Sequence, residues 1–138
     1  MKSKVCGLLA ASFVLFALAM PALAHHSFTA EFDSAKAISV SGVLTRVDWV
    51  NPHTYYYLDG KDESGNAVTW EVESMPPGML HKAGVNKDMF KIGEMVTVDG
   101  WAAKDGSKHL AFAKTFHFAD GHTIKTMNDD IQVPPDSK

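Results

Sequence analysis

Beyond residue 37, hydrophobic and polar positions alternate in short runs broken by glycine, proline and polar clusters, the signature of half-buried β-strands. In 38–50, Ile38 and Val40 share one phase while Val43, Val47 and Trp49 take the other. The parity changes around Gly42, which predicts a bulge bending a long first strand there. Asn51-Pro52-His53 breaks the run, and 54–58 opens a second strand in which Tyr55 and Tyr57 share a face that Tyr56 opposes. A polar turn over 59–66 leads to a third strand at 67–73. There Val68, Trp70 and Val72 alternate with Thr69, Glu71 and Glu73, so Asp48, Glu71 and Glu73 are expected to face solvent.

The period then shifts. Pro76-Pro77-Gly78 predicts a short helix to about Lys82, stopped by Gly84. Residues 95–101 form a fourth strand with Val96 and Val98 on one face. After the 104–107 loop comes a fifth at 110–118, with Leu110, Phe112, Phe116 and Phe118 in phase. Asp120-Gly121 turns the chain into a short sixth strand around 123–125. Residues 25–37 read as an extended arm and 127–138 as a disordered tail. The predicted fold is all-β with one short helix, an OB-fold-like small barrel of five to six strands over 38–126, in the order β-β-β-α-β-β. A small sandwich is its main rival.

Residues 1–24 read as a secretory signal peptide. Lys2 and Lys4 supply the positive start, 5–20 an uncharged, mostly apolar run, and Ala22-Leu23-Ala24 the cleavage signal. The run is short of the roughly 20 residues that span a bilayer. Periplasmic export is therefore expected, with no membrane attachment after cleavage.

Processing alters the composition. The 138 residues contain 13 Lys+Arg, 16 Asp+Glu, 7 His and one Cys, with a formal charge of -3. Removing 1–24 takes away Cys6 and both leader lysines, leaving 114 residues, no thiol and a charge of -5. A disulfide framework and cysteine-based zinc sites are excluded. So acidic a balance also argues against nucleic acid as partner.

The His25-His26-Ser27-Phe28 start, Phe32-Asp33 with Lys36, and the run from Gly42-Val43-Leu44 through Val47, Trp49 and Asn51-Pro52-His53 form a pattern. Trp70, Gly93 with Val96, Val98 and Gly100, and Ala103-Lys104-Asp105-Gly106-Ser107 extend it to about Ile124. The pattern resembles an uncharacterised family of small secreted bacterial proteins, a domain of unknown function. The resemblance implies a periplasmic single-domain protein and no activity.

Cleavage would create the sharpest chemical feature. A mature His25 carries an α-amine and an imidazole, which together can chelate a metal. One more imidazole, from His26 or His53, completes a three-nitrogen site suited to copper(II). Reference pKa values of about 8 and 6.5 allow both His25 nitrogens to be deprotonated near neutrality. Met75 and Met79 near His81 form a weaker candidate for copper(I), with core filling as the simpler role. The alternative is a metal-free module that binds a glycan or partner protein through Tyr55, Tyr57 and Trp70. Neither G-x-S-x-G nor H-E-x-x-H occurs, and His109, His117 and His122 are scattered, so a binding module is expected rather than an enzyme.

Overall fold

The computed structural model describes residues 28–127. The leader, its cleavage site, His25, His26 and the tail beyond Met127 lie outside the described residues. The elements are α1 (Phe28–Glu31), β1 (Phe32–Trp49), β2 (Thr54–Lys61), β3 (Ala67–Ser74) and α2 (Pro77–Lys82). A 3-10 turn (Lys87–Met89), β4 (Met95–Ala103), β5 (Leu110–Phe118) and β6 (Thr123–Lys125) follow.

β1 pairs antiparallel with β2 on one side and β4 on the other, β2 with β3, and β4 with β5. A parallel contact between β3 and β5, with Val72 opposite Ala111, closes the ring. The circuit β1-β2-β3-β5-β4 is that of an OB-fold-like barrel, with β6 added to β5. Closure leaves no long free edge on the ring itself.

Inside lie Val40, Leu44, Val47, Tyr56, Leu58, Val72, Val96, Val98 and Phe116. Leu80 from α2, Val85 and Phe90 join this core. Pro76 and Pro77 set the start of α2, where a missing N–H costs nothing, and Gly84 takes the left-handed φ of 80° just past its end.

The bend in β1 sits further along than the pattern predicts. Register slips between Leu44 and Arg46, making Thr45 the extra residue, and its hydroxyl donates to the Tyr57 carbonyl at 3.2 Å. Gly42 serves another purpose. It pairs with Gly60, and a Cβ on it would come within 2.7 Å of the Asp59 carbonyl oxygen, so it permits close approach of the two backbones.

β5 also departs from the expected single phase. Asp99 pairs with Thr115 but Gly100 with Ala113, so Lys114 is bulged out. Ala111 and Ala113 therefore point inward before the bulge, and Phe116 and Phe118 after it. Phe112 and Leu110 instead join a second cluster with Phe28, Phe32, Ala103, Trp101 and Met127. Thr126 fastens the bulge by donating its N–H to the Lys114 carbonyl at 3.0 Å.

That second cluster corrects both ends of the expected domain. The arm is not wholly extended: it forms α1 and then enters β1 at Phe32, which is 1% exposed. Met127, expected in a disordered tail, is buried against Phe32 and Phe112. No helix among the described residues is long and apolar enough to cross a membrane.

Candidate functional site

His53 stands in the loop between β1 and β2, and Glu73 lies one residue before the end of β3. Register places Tyr55 opposite Glu73 and Tyr57 opposite Glu71, so these four share the outer barrel face. His53 Nδ1 meets Glu73 Oε1 in an ion-pair contact, with the His53 side chain 27% exposed and that of Glu73 only 7%. Alternation put Glu73 on the solvent side. It is outward-facing but buried, at the point where β3 pairs with Phe112, against which Phe28 of α1 packs.

Burial raises the Glu73 carboxyl above the ordinary carboxylate range, Glu31 and Glu71 add to the rise, and the His53 imidazole opposes it. Burial likewise raises the Tyr55 phenol, helped by Glu73, Glu71 and Glu31. Glu31, at the end of α1, thus shares an electrostatic neighbourhood with Glu73 and Tyr55. The corner is rich in negative charge, with the His53 imidazole as the hydrogen-bonding partner of Glu73. An ionised carboxylate can only accept, so the pair fixes the imidazole proton on Nδ1 and leaves Nε2 as the nitrogen with a lone pair in the neutral ring.

Among the described residues, no three His, Cys, Asp or Glu side chains are grouped to hold a metal ion. His53 could thus supply one ligand, with the remainder coming from outside those residues. Met75 packs against both hydrophobic clusters, whereas Met79 is exposed and His81 lies edge-on to Trp49.

The three aromatic candidates do not form one surface. Tyr55 and Tyr57 are on the outer face, and the Arg46 guanidinium lies 3.7 Å from the Tyr57 ring centre, covering it. Trp70 pairs with Leu58 across β2 and β3, packs against the barrel core, and meets the His109 ring edge-on at 5.1 Å. Glu73, expected to face solvent, and His109, expected to be scattered, are the residues to which pattern reading assigns no role. The signal for Glu73 is its register with Tyr55, next to His53; nothing local marks His109.

A family model matches residues 13–112. The chain belongs to DUF6152, a family of unknown function. The DUF6152 match begins inside the expected leader and ends at Phe112 in β5, so it spans His25, His53, Trp70 and Glu73 but stops before His117 and His122. No curated protein matches the chain.

Proposed function

We propose that this DUF6152 protein is a periplasmic binding module, processed after Ala24, that holds copper(II) between His25 and His53. The observation carrying this reading is the buried Glu73 against His53 Nδ1. Metal-ligating imidazoles characteristically give their second nitrogen to a carboxylate, which orients the ring and raises its basicity. Here that leaves Nε2 for the metal.

The chain path supports the same pairing. Phe28 is held by Phe32, Trp101 and Phe112, and Glu31 acts electrostatically on Glu73. His25 precedes Phe28 by three residues, a reach of roughly 10 Å when extended. The α-amine and imidazole of His25 would chelate, His53 would add a third nitrogen, and His26 is the alternative third ligand. Copper(II) heads the divalent affinity order and accepts such tetragonal nitrogen sets.

The module acts by binding, as a carrier or sensor. Its test is metal analysis of protein purified from the periplasm with no tag before His25. Stoichiometric copper is expected; protein that is metal-free as isolated, and whose fold is unchanged by chelation, argues against the reading.

A further inference from the structure

At the barrel end away from α2, a groove of about 1120 Å³ opens between β1, the β2–β3 turn and the β4–β5 loop. Trp70 and His109 lie side by side in its lining. His109 holds a φ of 62°, an uncommon backbone state for a residue other than glycine, while its carbonyl accepts the Glu71 N–H at 2.9 Å. Strain of this kind gathers at ligand clamps.

The charged lining is balanced: Lys36, Lys61 and Lys108 against Asp59, Asp62 and Glu63. None of the three lysines has an ion-pair partner among the described residues. Asp59 is held by the Thr69 hydroxyl at 2.7 Å, and Asp62 by the Ser64 and Asn66 N–H groups at 2.9 Å each. Held carboxylates and lysine ammonium groups therefore share the lining with an aromatic pair.

That combination selects a ligand class. Cancelling charges give a polyanion no attractive field, which disfavours nucleic acid and polyuronate. A purely apolar ligand would strip water from charged groups and return nothing. A sugar offers hydroxyls that both donate and accept, and a C–H face for an aromatic ring. The volume slightly exceeds the roughly 300–1,000 Å³ of ordinary small-ligand sites, leaving room for several sugar units.

We propose that this groove binds a neutral oligosaccharide, its apolar face against Trp70 and His109 and its hydroxyls on the surrounding lysines and carboxylates. The site is separate from the His53 corner and does not depend on a metal there.

The test titrates chelator-treated protein with neutral hexasaccharides, a β-1,4-glucan and a β-1,4-N-acetylglucosamine chain, followed by amide NMR. Hexagalacturonate and a single-stranded DNA hexamer serve as charged comparisons. A neutral probe should bind and shift the amides of Lys61, Trp70 and His109. His109→Gly, which accepts the positive φ without strain, should weaken binding about fivefold or more while leaving the melting temperature undiminished. Trp70→Phe should also weaken it. The proposal is overturned if neither neutral probe binds at millimolar concentration or if only the charged probes bind. Shifts mapping to Tyr55 and Tyr57, or two variants that bind as the parent does, would overturn it equally.

Discussion

His53–Glu73 and His117–Asp99 are the same two chemical groups in opposite surroundings. The Glu73 side chain is 7% exposed and that of Asp99 49%. Burial raises the Glu73 carboxyl, whereas the Ser39 hydroxyl and His117 hold that of Asp99 below its ordinary value. Another exposed pair, His122–Asp120, resembles the second case. An exposed pair contributes little and implies little. A carboxylate withheld from water is costly unless partnered, and such sites are where function concentrates. Glu73 sits where β3 meets β5 at Phe112, the ring against which Phe28 and Phe32 of the N-terminal arm pack.

Loosening that packing should have the largest effect on the contrast. Phe32→Ala takes away a buried ring packed on Phe28 and Phe112 and should cost about 3–5 kcal/mol in urea unfolding. In the surviving folded protein, NMR titration should find the Glu73 carboxyl closer to its ordinary range. A loss below about 1 kcal/mol would mean that the arm is not what buries this corner.

Next in size is His53→Ala, which strands Glu73 without its imidazole. Stability at pH 7 should fall by about 1–3 kcal/mol. The loss should shrink toward pH 4, where the carboxyl takes up a proton. Equal losses at both pH values would show that the ion pair is not the cause.

Glu73→Gln and Asp99→Asn then test the contrast by sign. A carboxyl raised in the folded state lends stability below its unfolded value of about 4.3, and loses it as pH climbs through the raised value. The stability of Glu73→Gln relative to the parent should therefore improve between pH 4 and 7. A lowered carboxyl behaves oppositely: its contribution is present above about 3.9 and vanishes as pH falls through the lowered value. Asp99→Asn should thus show a small deficit at pH 7, under about 0.5 kcal/mol given its exposure, that fades with acid. Slopes of the same sign in the two variants would break the comparison.

The barrel was legible because its strands carry a period of two and its turns carry glycine, proline and aspartate. The fifth strand emerges over residues 110–118, as the alternation of Leu110 through Phe118 predicts. Its bulge at Lys114 was not legible, because evenly spaced aromatics look continuous until the partner strand shows where register slips. The same holds for Thr45, where Gly42 offered the more obvious signal. Glu73 was misread for a different reason. Alternation assigns a residue to a face but is silent about what later covers that face, and Phe28 and Phe112 are far from Glu73 in sequence. His53, by contrast, stood out through Asn51-Pro52, although its partner could be found only in three dimensions.

Copper(II) titration followed by electron paramagnetic resonance decides whether His25 and His53 share a metal. Three proteins are compared: one confirmed to begin at His25, one extended by Gly-Ser before His25, and His53→Ala. One tight site of nitrogen-rich signature is expected in the first, weakened by tenfold or more in each of the others, a difference of about 1.4 kcal/mol or greater. Equal affinity in all three would contradict it, since any peptide carrying paired histidines binds some copper, and neither the free amine nor His53 would then matter.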